Sequence, residues 1–213
     1  MPRFSELNQD ILWKVISLET DLKSLRRTSQ VCSTWRDVVV SASSLWAGAI
    51  DLTVLAPLQD EWVQEVIRRT GQELLHISAP FMLAHGAQQT AAVTILEALF
   101  KHHWKRIRTV DLCATRLDLS QEPVFKELLQ QPAPRLEVFC ICLSNPNTTL
   151  RLFSNDSPSL KECELSHIAF NTDTLWLRNV RQLHRCSHHG LGHERSISWH
   201  QVNFSMRYLT CHS

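Results

Sequence analysis

The first fifty residues carry apolar positions at helical spacing. Asn8 can cap a helix, and Asp21 can cap a second one. A third apolar series begins at about Val31. The apolar side of the first helix consists of Ile11, Leu12, Val15 and Ile16. The pattern predicts three short helices over 7–52 with about a dozen large apolar residues, which is more than so small a bundle can bury inside itself. Some of this surface should therefore face a partner or the rest of the chain.

From residue 58 onward, helical and strand periodicities alternate. The pattern predicts helices that begin at Asp60, Thr90 and Ser120, and strands over 74–77, 107–112, 136–141 and 160–165. Three of these strands share the spacing L-x-x-L-x-L, and their last anchors are 29 and 24 residues apart, close to leucine-rich-repeat periods. The anchors are Ile107, Val110, Leu112, Leu136, Phe139, Ile141, Leu160, Cys163 and Leu165. The fold class is therefore α/β, either a short irregular solenoid of repeated units or an ordinary layered domain without repeats.

Composition and charge narrow the range of partners. Of 213 residues, 44% are hydrophobic and 20% are charged, with 22 Lys+Arg against 21 Asp+Glu. This balance leaves no global field that would hold nucleic acid or an anionic membrane. No apolar run reaches 18 residues, and charges interrupt the amino-terminal stretch where a signal peptide needs its apolar segment. We expect an intracellular protein, cytoplasmic or nuclear, with no membrane partner.

Glycine and cysteine argue against the common catalytic motifs. With five glycines, neither G-x-G-x-x-G nor the P-loop pattern can be written, and G-x-S-x-G, H-E-x-x-H and C-x-x-C do not occur. We therefore expect no cofactor and no enzymatic activity. The seven cysteines are an odd number spread over predicted helices and strands, as is typical of reduced, buried residues in an intracellular protein.

Residues 5–52 resemble an F-box. The most specific part is Val31-Cys32-x-x-Trp35-Arg36, followed about ten residues later by Leu45-Trp46. The usual proline after the first leucine is Asn8 here. The resemblance implies a three-helix module that docks onto the Skp-type adaptor of a cullin–RING ubiquitin ligase; a plain three-helix bundle is the alternative. The residues that it assigns to adaptor binding, some of which also fill the module's own core, are Leu7, Ile11, Leu12, Val15, Ile16, Leu22, Leu25, Val31, Cys32 and Trp35.

Residues 58–186 resemble the degenerate leucine-rich repeats that follow the F-box in many fungal F-box proteins. If the strands line one inner curve, the residues that alternate with the buried anchors point into it. We predict that this strip faces a protein substrate. It consists of Thr109, Asp111, Val138, Cys140, Glu162 and Glu164.

Three other segments suggest different chemistry. The run 101–108 mixes basic and aromatic residues, which suits nucleic acid, but a helix end with cations near its carboxyl terminus is the simpler interpretation. Cys140, Cys142, Cys186 and the histidines at 188, 189 and 193 are zinc-ligand types without zinc-ligand spacing, so no metal is expected. The His-rich tail over 187–213 has no clear period, and we expect it to be disordered or an atypical terminus.

The sequence thus predicts a substrate-recognition subunit of a Skp–cullin–F-box ubiquitin ligase. Its partners would be the Skp-type adaptor, through it a cullin–RING ligase, and an unknown protein target. The alternative is a leucine-rich-repeat scaffold that binds protein or nucleic acid outside any ligase.

Overall fold

The protein is a mixed α/β fold, described by a computed structural model. The structure describes residues 8–18, 21–80, 86–117, 123–143, 148–150, 152–166, 168–170 and 175–186. Leu7, Ser120 and the tail over 187–213 lie outside the described residues, and so do the predictions made for them.

The amino-terminal helices begin at the predicted caps. The Oδ1 atom of Asn8 accepts a hydrogen bond from the Asp10 backbone N–H at 2.9 Å, and Oδ1 of Asp21 accepts one from Ser24 at 2.9 Å. The third helix begins at Ser33, because Cys32 has extended backbone angles. The first five helices are α1 Gln9–Ile16, α2 Leu22–Thr28, α3 Ser33–Ser41, α4 Ser43–Gly48 and α5 Leu52–Leu55.

Three more α-helices and three 3-10 helices follow in the described residues. The α-helices are α6 Asp60–Arg69, α7 Ala87–His103 and α8 Pro123–Leu129. The 3-10 helices are Trp104–Arg106, Leu152–Asn155 and Leu175–Asn179. None of the helices in the described part of the chain is long and apolar enough to cross a membrane.

Six strands form one parallel sheet whose spatial order follows the chain. They are β1 Ile50–Asp51, β2 Leu75–Ser78, β3 Ile107–Leu117, β4 Val138–Leu143, β6 Glu162–Ser166 and β8 Gln182–Cys186. Two further strands, β5 Thr148–Leu150 and β7 Ile168–Phe170, pair with each other in a second small parallel sheet. Each strand of the large sheet therefore pairs with the strands that precede and follow it in that sheet.

The register aligns the predicted anchors in rows. Val110 lies opposite Phe139, which lies opposite Cys163. Leu112, Ile141 and Leu165 form the next row. All nine anchors of the three L-x-x-L-x-L segments are buried. Because side chains alternate along a strand, the residues directly beside the second anchors, such as Thr109 and Asp111 on either side of Val110, face the other side of the sheet.

The buried hydrophobic side chains other than Leu12 form one continuous core in the described residues. It extends from Ile16 in α1, through Trp46 in α4, to Trp176 and Leu177 near β8. Cation–π contacts join helices across this region, with Arg69 lying 4.6 Å from the Trp46 ring centroid and Arg26 lying 5.2 Å from that of Trp62. The amino-terminal helices thus pack onto the same core as the sheet.

An aromatic cluster fills the core beneath the middle strands. The ring centroids of Phe139 and Phe153 are 5.2 Å apart, and those of Phe153 and Trp176 are 5.7 Å apart, both edge to face. Phe153 has a positive φ of 56°, as have Ser154 and Asn155 after it. This left-handed turn, which the sequence pattern does not predict, places the Phe153 ring inside the core.

Candidate protein-interaction surfaces

The apolar residues of α1 divide into a buried line and an exposed line. Leu12 and Ile16 are buried, at 0% and 2% exposure. Ile11 and Val15 are 49% and 46% exposed. Leu18, in the turn after the helix and three residues beyond Val15, is 82% exposed. Because residues four apart lie on the same side of a helix, Ile11 and Val15 present one apolar surface outward.

The other predicted adaptor-binding residues divide in the same way. Leu22 and Leu25 of α2 are buried. Val31 is 61% exposed, and Cys32 and Trp35 are half-buried. The Trp35 indole Nε1 is buried and has no hydrogen-bond partner among the described residues. Four of the predicted residues therefore serve as core, while Ile11, Val15 and Val31 are available to a partner.

Two further apolar residues of the amino-terminal helices, which the sequence analysis did not select, are also exposed. Trp13 is 43% exposed and Val40 is 39% exposed. Trp13 lines an open depression of about 310 Å³ together with Asp10 and three residues near the end of α3, namely Val38, Ser41 and Ala42. Trp13 lies on the side of α1 that the helical spacing assigns to solvent. In the sequence, the only indication of this exposed residue is that a large apolar side chain occupies the predicted polar side of the helix.

The parallel register brings the six predicted substrate-facing residues together. Thr109, Val138 and Glu162 are neighbours in one row, and Asp111, Cys140 and Glu164 in the next. Asp111 and Glu162 are exposed, and the other four are half-buried. The same rows continue onto His76 and Ser78 of β2 and onto Gln182 of β8, which the sequence analysis did not include.

A charged row borders these two rows at the amino ends of the strands. Arg108 Nε donates to Glu137 Oε1 at 2.9 Å, and Lys161 Nζ donates to Glu137 Oε2 at 2.7 Å. The bonds from Lys161 and then from Arg108 hold the pKa of the Glu137 carboxyl below its usual value. The Arg181 backbone N–H donates to the Lys161 carbonyl at 2.6 Å, so Arg181, the residue before β8, continues the row.

The basic and aromatic run over 101–108 is largely committed to the fold. Trp104 is buried, and its Nε1 donates to the Pro132 carbonyl at 2.8 Å. The Arg106 guanidinium donates to the carbonyls of Gly71 and Glu73 at 2.8 and 2.9 Å and fastens the turn after α6. The aromatic ring and this guanidinium are therefore not free to contact nucleic acid, which favours the interpretation as a helix end.

The cysteines show no metal-binding arrangement where the structure describes their surroundings. The described residues contain no group of three or more His, Cys, Asp or Glu that could hold a metal ion. Cys163 is buried, and its burial raises the pKa of the thiol, which keeps it protonated and unreactive. The histidines at 188, 189 and 193 lie outside the described residues.

Comparison of the chain with protein-family models, with curated proteins and with solved structures finds no match.

Proposed function

We propose that this protein is a substrate-recognition subunit of a Skp–cullin–F-box ubiquitin ligase. The amino-terminal helices would act as an F-box and dock onto a Skp-type adaptor. The outward face of the sheet, as the inner curve of a short leucine-rich-repeat solenoid, would hold the target protein. Such a subunit makes no bond itself, and it acts by raising the local concentration of the target's lysines near a charged ubiquitin carrier.

The observation that carries the proposal is the apolar surface left uncovered on the amino-terminal helices. The exposed fractions lie between 46% and 82% for Ile11, Val15 and Leu18. The hydrophobic core lies on the other side of the same helix and does not cover them. Val31 adds a fourth exposed side chain, at 61%. A cluster of exposed large apolar side chains on a small helical unit is typical of a protein–protein contact.

The sheet supports the second half of the proposal. The strands of the large sheet follow one another in chain order. The segments that contain β3, β4 and β6 each provide three buried anchors at the same spacing, although Leu136 and Leu160 lie two residues before their strands. Stacking of equivalent units is how repeat proteins bury apolar faces that one unit cannot bury alone. The rows that contain Asp111 and Glu162 then form a continuous outward surface across neighbouring strands.

Co-expression with a Skp-type adaptor, followed by co-purification, tests the adaptor-binding role. We expect a stable complex with the unaltered chain. The double variant Ile11→Asp/Val15→Asp should lose it. Full burial of one such side chain contributes about 1.5–3 kcal/mol to binding. Covering the exposed halves of Ile11 and Val15 therefore contributes about the same amount in total. Loss of that term weakens binding by about tenfold to a hundredfold, and two buried charges weaken it further.

Leu175→Asp is the matched control. Leu175 is 58% exposed but lies near β8, at the other end of the sheet order from the amino-terminal helices. This variant should keep the adaptor complex. Leu12→Asp is a poor test, because Leu12 is fully buried and its replacement would unfold the helix. An adaptor complex that survives Ile11→Asp/Val15→Asp, or no complex with the unaltered chain, contradicts the proposal and favours a scaffold outside any ligase.

A further inference from the structure

Charges of opposite sign lie in separate rows across the strands of the large sheet, and the register shift between β2 and β3 leaves Arg108 as an extra residue beside Thr109, outside the strict alternation of side chains. The row at the amino ends of the strands contains Arg108, Glu137, Lys161 and Arg181, in register through their backbone hydrogen bonds. Arg108 and Lys161 share the single Glu137 carboxylate, which leaves one positive charge in excess. Arg181 is exposed and has no ion pair within the part of the chain that the structure describes. This cationic row therefore carries two uncompensated positive charges.

The two rows beyond it carry the opposite sign. Asp111 and Glu162 are exposed, and neither carboxylate has an ion pair among the described residues. Glu164 lies next to them on β6. The charges of these acidic rows are opposite to those of the cationic row, but Asp111 and Glu162 form no ion pairs with it. The face therefore has a positive side and a negative side.

Apolar side chains lie between the acidic positions. Val138 and Cys140 are half-buried on β4, the strand between Asp111 on β3 and Glu162 on β6. The face thus combines a cationic edge, a small apolar centre and acidic positions on either side of that centre. Charges arranged in this way select the orientation of a partner as well as its composition.

The dimensions of the face fit one helix laid across the strands. Adjacent strands are about 4.8 Å apart, so β3 to β8 span about 14 Å, the length of about nine or ten helical residues. Three residues along a strand, from Arg108 to Asp111, span about 10 Å, which is close to the diameter of a helix with its side chains. A helix in this position would contact the cationic row along one side, Val138 and Glu162 in the row beside it, and Asp111 and Cys140 in the row beyond.

We propose that this face binds an amphipathic helix of about ten residues in the target protein, with acidic residues on one flank, basic residues on the other and small apolar residues between them. The proposal rests on the proposed function, because it specifies the chemistry of the segment that the ligase subunit would capture. The acidic flank lies over Arg108, Lys161 and Arg181, the basic flank over Asp111 and Glu162, and the apolar residues contact Val138 and Cys140.

Selection from a random library of 16-residue displayed peptides, with the full-length chain as the immobilised bait, tests the proposal. The enriched peptides should carry acidic and basic residues on opposite flanks at helical spacing. These peptides should bind the variant Asp111→Lys/Glu162→Lys at least tenfold more weakly than the unaltered chain. Peptides whose basic residues are changed to glutamate should bind this variant with the lost affinity restored. Arg181→Glu should weaken binding through the acidic flank.

The control is Glu61→Lys/Glu127→Lys, which makes the same charge change at two exposed positions on α6 and α8 and should leave peptide binding unchanged. Four results would overturn the proposal: no enrichment, a charge pattern that repeats every second residue, equal effects of the control and the sheet variants, or no recovery with the charge-exchanged peptides. Adaptor co-purification is measured on the same variants. If the adaptor fails to bind while the peptide results hold, the ligase role fails and the helix-binding face stands.

Discussion

Neighbouring apolar residues on α1 have opposite environments. Leu12 is fully buried, whereas Ile11, the residue before it, is half exposed. Each step along a helix rotates the side chain by about 100°, so positions 11 and 15 form one line and positions 12 and 16 the next. Only the second line meets the core side of the helix. The first line therefore contributes little to the stability of the isolated chain, which leaves it free to serve a partner.

Alanine substitutions at these two positions should separate the two roles. Leu12→Ala should lower the free energy of unfolding by about 2–5 kcal/mol, because it removes a buried side chain and leaves a cavity. Ile11→Ala should change it by no more than about 0.5 kcal/mol, since the side chain is half in solvent and alanine favours the helix. Urea denaturation of the isolated chain measures both. Equal costs at the two positions would show that Ile11 is part of the core.

Among the helices, the end of α6 depends on one backbone conformation. Gly71 follows the helix with φ of 52°, in the left-handed region that residues with a Cβ atom rarely adopt. A Cβ atom at this position would also lie 3.2 Å from the Ser43 side-chain oxygen of α4. The turn after α6 is fastened to the next unit by the Arg106 guanidinium. The direction of the chain from α6 into β2 therefore depends on this glycine.

Gly71→Ala should destabilise the protein by about 1–2 kcal/mol through the left-handed backbone and the close contact. Gly48→Ala is the matched substitution, because Gly48 is the last residue of α4, is exposed, and would bring its Cβ within 4 Å of nothing. It should be neutral or stabilise the fold by up to about 1 kcal/mol. Thermal and urea unfolding of the two variants are the measurements. A loss at Gly48 that matches the loss at Gly71 would contradict this account of the turn.

Helices and strands with a clear hydrophobic periodicity were predictable from the sequence. Elements whose conformation depends on tertiary contacts with other segments were not. The strand anchors followed from the L-x-x-L-x-L spacing, and the outward strip followed from alternation beside those anchors, because alternation fixes which side of a strand a residue faces. The two-residue strand β1 and the pair β5–β7 are too short to show a period. The left-handed turn at Phe153 has no glycine to mark it. The division of α1 into buried and exposed lines depends on where the rest of the chain packs.

In the whole molecule, one core joins the amino-terminal helices to the sheet. Leu25 of α2, Trp46 of α4 and Phe139 of β4 belong to the same continuous cluster of buried side chains. The Trp46 indole donates to the Val39 carbonyl at 2.7 Å, and its ring faces the Arg69 guanidinium of α6. A boundary between residues 52 and 58, which the sequence predicts between two domains, would have to divide this cluster. The shared core leads us to expect one cooperative unit on either side of that position.

Native-state hydrogen exchange at increasing denaturant measures that cooperativity. Buried amides of α2, such as Leu25, and of β4, such as Phe139, should exchange through one global opening with the same free energy. Trp46→Ala should lower both values together by about 3–5 kcal/mol, because it opens a cavity between the helices and the sheet. Leu175→Ala, at an exposed position, should change neither by more than about 0.5 kcal/mol. Two independent domains would give a different result. The opening free energy of the α2 amides would then be several kcal/mol below that of the β4 amides, and Trp46→Ala would lower only one of the two. A single unit would hold the apolar surface at Ile11 and Val15 in a fixed position relative to the sheet face, which is what the proposed ligase role requires of a subunit that presents its target in one orientation.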